Sequence, residues 1–396
     1  MRADLKNRLL EGEALFLQGS YAEALEAFEV VLREDPENPY ALNDAGLAYA
    51  EVGRIDRAVE CFEKALQVNS ACQEAVLNLI DVLVNKGFFD LAKEAFLRYQ
   101  DAINDEEDKI KYKSWLLDKR VYLKESTKII IILGMHRSGT STVSKIVNTL
   151  GVYLGKDNEL LEAAPDNPKG FWENKFFINL NDEILRRLNI ERHNCTWCDP
   201  PVLYEGWEES KMFEDLKILA IDYINKNFRH YDLWGWKDPR TCLTLPFWRS
   251  ILPGQQIKCV ICLRNPLSVA KSLQKRNGLS IDRGLKLWFE HNVMVLKNTM
   301  EFSKIIVNYE DIVDSEKRKK QIDKICEFIG VNKGVDWDAI DRFVEEELHH
   351  HKTDLKEFLE SRVNFAVKSL YMAMYSTSKQ KNLSQNEILD LWSKIF

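Results

Sequence analysis

Apolar and polar positions recur with a fixed period over the first hundred residues. Gly19, Gly53 and Gly87 stand 34 residues apart, as do Ala24, Ala58 and Ala92, and Phe28, Phe62 and Phe96. Each period holds two amphipathic halves, which predicts a pair of helices. The glycine ends the first helix of each pair, where a left-handed backbone suits a residue without a side chain. The alanine lets the two helices approach closely, and the phenylalanine is expected to fill the gap between one repeat and the next. Pro36 and Pro39 mark the link between the first and second repeats.

The pattern changes at Lys128. Lys128 to Leu133 is an unbroken branched apolar run, predicting a buried strand. Further strands are predicted over Leu233–Trp236, Ile257–Leu263 and Lys304–Tyr309. Helical spacing covers Thr140–Leu150, Asn174–Leu188, Glu209–Phe228, Pro266–Lys275, Asp282–Met300 and the chain from Asp338 onward. This alternation predicts an α/β domain, a parallel sheet flanked by helices on both faces. Between the two regions, the charged stretch Asn104–Lys113 starts a connecting helix. Tyr112–Leu123 reads as a helix that caps the repeats or joins the domains. The expected division is therefore residues 1–123 and 124–396.

The N-terminal period resembles the tetratricopeptide repeat over residues 5–103. That resemblance implies an all-α stack of three repeats. Its concave face would take a protein or peptide partner, or the stack would serve as a spacer or dimerisation element.

Composition narrows the classes. The chain is 45% hydrophobic and 30% charged, which excludes general disorder. A net charge of −7 without a long basic run argues against a nucleic-acid partner. The N-terminus has no apolar leader, and Ile129–Leu133 is too short to span a bilayer, so a cytoplasmic protein without membrane insertion is expected. Two C-x-x-C pairs occur, Cys195/Cys198 and Cys259/Cys262. Cys259 and Cys262 fall in a strand, where residues three apart face opposite sides, so core thiols and no metal site are expected.

The chemistry-bearing motif is Gly134-Met-His-Arg-Ser-Gly-Thr-Ser141, between the first strand and a helix. Backbone amides of such a loop and the helix dipole bind anions. Gly134 and Gly139 have the spacing of a Walker loop, but Thr140 stands where that loop has lysine. The cation is Arg137 instead. A second anion grip is expected in Arg264-Asn-Pro-Leu-Ser-Val-Ala-Lys-Ser272, since a guanidinium fork suits a phosphate dianion.

Together these two segments resemble the donor site of sulfotransferases that use 3′-phosphoadenosine 5′-phosphosulfate (PAPS). The likeness runs over residues 128–330 and includes Tyr309-Glu-Asp311 and Phe328-Ile-Gly330. The arginine form of the loop is similar to those of tyrosylprotein and many bacterial sulfotransferases. The resemblance implies a P-loop-like sulfotransferase fold. It implies that Gly134, Arg137, Ser138, Gly139, Thr140 and Ser141 bind the 5′-phosphosulfate of PAPS, and Arg264 and Ser272 its 3′-phosphate.

Two further segments complete the implied set. Trp236-Lys-Asp-Pro-Arg240 resembles a tyrosylprotein sulfotransferase segment whose lysine contacts the bridging oxygen, implying that Lys237 stabilises the transition state with Arg137. Trp172-Glu-Asn-Lys-Phe-Phe177 resembles the segment that supplies the base in heparan sulfotransferases, implying that Glu173 deprotonates the acceptor hydroxyl. His136 is a second candidate base whose place in the loop suggests a structural role. Lys237 paired with Asp238 or a neighbour, and Glu173 as a helix cap near Asn174, are the structural alternatives. The basic, glycine-rich C-terminal donor loop of animal cytosolic sulfotransferases is not found; Lys352 and His349–His351 are the candidates for covering the adenosine. Of the tryptophans at 172, 197, 207, 234, 236 and 248, most are expected in the core. An ATP-dependent P-loop kinase and a non-catalytic scaffold are the alternative functions.

Overall fold

Three helix pairs answer to the 34-residue period in the computed structural model, which describes residues 3–118, 121–162, 170–188, 203–331, 335–345 and 355–379. The chain parts into two units, residues 1–120 and 121–396. In the first, the pairs are α1 (Ala3–Leu17) with α2 (Tyr21–Glu34), α3 (Pro39–Glu51) with α4 (Ile55–Val68), and α5 (Gln73–Asn85) with α6 (Phe89–Tyr99). Gly19, Gly53 and Gly87 have φ of 82°, 79° and 83°. Each is followed by an amide that reaches back five residues, as Arg54 N does to Tyr49 O at 2.8 Å. This closes the end of the first helix as the glycine spacing required.

Ala24, Ala58, Ala92, Phe28 and Phe62 are fully buried, and Phe96 nearly so. The phenylalanines act differently from the expectation. A side chain on Gly12 would meet the Phe28 ring at 2.4 Å, and one on Gly46 the Phe62 ring at 2.7 Å. Those rings therefore fill their own helix pair, because the first helix offers a glycine for the ring to lie on. In the third repeat Ile80 occupies that place, and Phe96 lies 6.4 Å from Tyr112 of α7 (Glu106–Lys113). The predicted helix Tyr112–Leu123 is shorter than expected. Regular α-helix ends at Lys113 and passes into a π-turn, Ser114–Asp118, in which Trp115 and Leu116 are both buried.

The second unit is built on β1 (Lys128–Leu133), β2 (Leu233–Lys237), β3 (Ile257–Leu263) and β4 (Ser303–Asn308). All pairings are parallel, in the order β2-β1-β3-β4. The helices are α8 (Thr140–Thr149), α9 (Lys175–Leu188), α10 (Glu214–Asn227), α11 (Thr241–Ile251), α12 (Pro266–Asn277), α13 (Ile281–Asn298), α14 (Tyr309–Val313), α15 (Ser315–Ile329), α16 (Trp337–Glu345), α17 (Leu355–Glu360) and α18 (Phe365–Ser378). Period-two alternation divides the sheet's faces. Ile130, Ile132, Val260, Cys262, Ile305 and Val307 pack with Val143 and Ile146 of α8 and Ile322 and Ile325 of α15. The opposite face carries an aromatic layer in which Phe177 and Trp236 stack at 4.6 Å and Trp248 lies 5.0 Å from Trp236.

Cys259 and Cys262 are both buried, and only Cys262 belongs to the first of these faces. At the amino ends of the strands, Lys128 donates to Ile329 O at 3.0 Å and Lys258 to Phe328 O at 2.7 Å, capping the last turn of α15. At the other ends, β1 leads into Gly134, β2 finishes on Lys237, β3 leads into Arg264 and β4 into Tyr309. Strand order reverses beside β1, and that crevice is where open α/β sheets bind ligands.

Candidate active site

The loop from Gly134 to Ser141 is shaped by three left-handed residues. Gly134, Arg137 and Gly139 have φ of 147°, 70° and 84°. A side chain at Gly134 would lie 2.8 Å from Cys262 O of β3, so the loop can pass this close to β3 only with glycine there. Gly134 N donates to Cys242 Sγ of α11 at 3.3 Å. Gly139 starts α8, and a side chain on it would meet the Tyr309 ring at 2.1 Å. Ser138 and Thr140 are buried, and Ser138 Oγ has no hydrogen-bond partner among the described residues. A buried hydroxyl without a partner, beside a cation at a helix N-terminus, is the chemistry of an anion cradle.

The second predicted grip meets the first. Arg137 Nε donates to Ser272 Oγ at 2.9 Å, and Arg264 Nη1 donates to Arg137 O at 2.8 Å. Arg264 is buried and lies over the Tyr309 ring at 4.6 Å. Its position is fixed through its neighbours: Trp288 Nε1 donates to Arg264 O at 3.1 Å, and Asn265 N donates to Glu310 Oε1 at 2.9 Å. Burial pushes the Glu310 carboxyl above its usual range. Asn265 then caps α12 through Leu267 N and Ser268 N, which places Ser272 two turns further along.

Glu173 and Lys237, 64 residues apart in sequence, form a buried ion pair. Lys237 Nζ also donates to Phe171 O at 3.1 Å and to Ser141 Oγ at 3.3 Å, joining the pair to the phosphate loop. An ion pair of Lys237 with a neighbouring carboxylate is one of the structural alternatives, and that carboxylate is Glu173 and not Asp238. Asp238 is held instead by Arg240 Nη1 and Asn181 Nδ2, both at 2.8 Å. Asn174, not Glu173, accepts from the start of α9, at Phe176 N. Arg240 reaches onward to Asp182 at 2.6 Å, and Asn181 Oδ1 accepts from Thr244 and Trp248. Burial raises the Asp238 carboxyl even with Arg240 beside it. His136 is pushed well below the usual imidazole range by burial and by nearby Arg240, so it stands neutral.

Among the described residues, the structure thus brings the loop 134–141, Glu173, Lys237, Arg264 and Ser272 together at the carboxyl ends of the strands. Sequence reasoning did not assign Tyr309 a place in the site, although its position just beyond a strand's carboxyl end is a usable signal. It also missed the carbonyl of Phe171, for which the sequence carries no signal. Trp234, Trp236 and Trp248 are core, Trp207 is buried and Trp172 is half-buried. Trp197, Cys195, Cys198, Lys352 and His349–His351 lie outside the described residues. No helix among the described residues is long and apolar enough to cross a membrane.

Comparison with known proteins agrees with this architecture. The sulfotransferase family profile matches residues 130–336. Tetratricopeptide repeat profiles match residues 15–63 and 43–107. The chain belongs to the sulfotransferase family and carries tetratricopeptide repeats at its N-terminus. Among solved structures, the sulfotransferase domain of the Synechococcus PCC 7002 olefin synthase is 15% identical, over 69% of this chain and 97% of that one, with a TM-score of 0.34. The sulfotransferase domain of the curacin biosynthetic pathway is 16% identical, over 68% and 92%, with a TM-score of 0.29. A mutant O-GlcNAc transferase from Thermobaculum terrenum is 10% identical, over 99% and 97%, also with a TM-score of 0.29.

Proposed function

We propose that this sulfotransferase uses PAPS as donor and an acceptor hydroxyl on a protein tyrosine, a glycan or a small molecule. The observation that carries this reading is the double engagement of Arg137, whose side chain meets Ser272 and whose carbonyl meets Arg264. A donor with phosphates at both the 5′ and 3′ positions needs two grips a nucleotide apart, and Arg137 belongs to both. The residues present suit such a group: left-handed glycines, an unpartnered buried hydroxyl and two guanidinium groups.

In this reading Gly134, Arg137, Ser138, Gly139, Thr140 and Ser141 hold the 5′-phosphosulfate, and Arg264 and Ser272 hold the 3′-phosphate. Bound PAPS supplies the sulfuryl group and a stable leaving group, adenosine 3′,5′-bisphosphate (PAP). Glu173 takes the proton of the acceptor hydroxyl on its carboxylate. Lys237, held beside Glu173 and Ser141, turns its ammonium to the charge that grows on the departing phosphate, and Arg137 assists. The charges of Glu173 and Lys237 are matched in the resting site, so neither is left buried alone before substrates enter. The repeats offer a surface for a protein or peptide partner, and the enzyme works in the cytoplasm.

Calorimetric titration with PAP, with ATP as competitor, tests the reading on wild type and Arg264→Ala. Preferential PAP binding, weakened ~100-fold by the substitution, supports it, since charge-assisted phosphate contacts are of that strength. Preference for ATP, or no PAP binding, overturns it in favour of a kinase or a scaffold.

A further inference from the structure

Among the described residues, the non-glycine positions with left-handed backbone are two, Arg137 and Trp172. Both are in the site. Arg137 belongs to the phosphate loop, but Trp172 stands outside both predicted anion-binding segments in sequence and has no assigned task. A large aromatic residue at φ 57° is disfavoured by its own side chain, and such conformations persist where surrounding contacts impose them.

The contacts are specific. The Trp172 ring lies 4.4 Å from Lys145 Nζ, on the helix whose first turn is the phosphate loop. It also packs against the apolar layer formed by β1, α8 and α15. On its C-terminal side the chain is pinned, because Leu161 N donates to Glu173 O at 2.8 Å and Leu160 pairs with Asn174. The left-handed turn at Trp172 then has one outcome. The carbonyl of residue 171 and the carboxylate of residue 173 arrive at the same ammonium, Lys237 Nζ.

We infer that Trp172 is a positioning residue of the reaction centre: its ring, held by Lys145, sets the Phe171 carbonyl and the Glu173 carboxylate on Lys237. The chemical meaning of that placement rests on the sulfotransferase reading, but the placement can be tested without it. Because Lys145 stands on α8, the same contact ties the base and its lysine to the helix that presents the donor loop.

The test is competitive acylation of lysines followed by mass spectrometry, on the full chain. Lys237 is 2% exposed, and Lys304, 3% exposed and bonded to the carbonyls of Thr299, Met300 and Phe302, is the internal reference. In Trp172→Ala, Trp172→Gly and Lys145→Met, labelling of Lys237 rises ~10-fold while Lys304 is unchanged; Trp172→Phe, which keeps a ring for the cation, stays near wild type. Trp172→Gly is the sharper variant, since glycine accepts the backbone angle and lacks only the ring. Unchanged Lys237 labelling, or a rise shared equally by Lys304, overturns the inference. In parallel, hydrolysis of PAPS to PAP and sulfate, with water in the place of the acceptor hydroxyl, falls ~10–100-fold in the same three variants while PAP affinity stays within ~2-fold, and Trp172→Phe recovers most of the rate. Wild type that binds no PAP sinks the donor reading and leaves the labelling result to decide the placement alone.

Discussion

Arg137 Nε and Ser272 Oγ meet at 2.9 Å although 135 residues separate them in the chain. The hydroxyl at the second anion grip is therefore oriented by the cation of the first. Replacing Ser272 with alanine removes a contact to a charged group, worth ~10-fold in affinity for PAP. AMP, which has no 3′-phosphate, binds the Ser272→Ala protein as it binds wild type. Calorimetry with the two nucleotides checks both statements.

The Glu173–Lys237 pair predicts a stability pattern as well as a rate effect. Lys237→Met alone leaves a buried carboxylate without its cation, and Glu173→Gln alone leaves a buried ammonium. Each single change is expected to destabilise by ~3–5 kcal/mol, and the double change by much less than the sum. Denaturant unfolding of the four proteins gives this cycle. Glu173→Gln also removes the proton acceptor, so sulfuryl transfer should fall ~100–10,000-fold with PAP binding retained.

Gly139→Ala is expected to lose at least ~10-fold in PAP affinity. The new methyl would stand 2.1 Å from the Tyr309 ring, at φ 84°. Adding Tyr309→Ala relieves the clash but not the backbone conformation, which costs ~1–2 kcal/mol for a residue with a side chain. Partial recovery in the double variant is therefore the expected result, read by the same titration.

Acid should act through His291 and through Asp44 in opposite directions. Burial lowers His291 from 6.5 to about 4, so between those values the unfolded chain takes up the proton first, and stability falls with pH. For a fully buried imidazole this amounts to about 3 kcal/mol. Asp44 in the repeats is raised from 3.8 to about 6 by burial, with Glu13 and Glu74 adding to it against the hydrogen bond from Asn43. There the folded state holds the proton more tightly, so as pH falls from 6 to 3.8 this group adds stability. Hydrogen exchange resolved by peptide should show α13 opening more readily at pH 4.5 than at pH 7. Asp44→Asn should remove the pH dependence around α3.

What could be read in advance follows from how locally each feature is encoded. Lys128 to Leu133 announces a strand because the five apolar residues after the lysine carry the signal, and Gly19, Gly53 and Gly87 announce helix ends because each works alone. Helix α11 was not predicted, since Pro246 in its interior mimics a boundary. The turn from β1 through Gly134 to Ser141 into α8 was legible because its residues are contiguous. The pairing of Glu173 with Lys237 was not legible, as 64 residues separate them and no spacing rule connects them. The seat of Phe28 on Gly12 had a signal in the same period, since Gly12 and Gly46 also stand 34 residues apart, but the break at Ile80 hides it in the third repeat.

The lysines at the amino ends of β1 and β3 bind the last carbonyls of α15, while all four strands deliver site residues from their opposite ends. The sheet therefore has a latched margin and a working margin. Segments on the working margin can lengthen, shorten or exchange side chains without unlatching the other. A lineage of such enzymes can thus explore new acceptors by drifting along one border of the sheet. The same arrangement makes Lys128 and Lys258, far from any chemistry, the places where a single lesion would loosen the frame on which every acceptor depends.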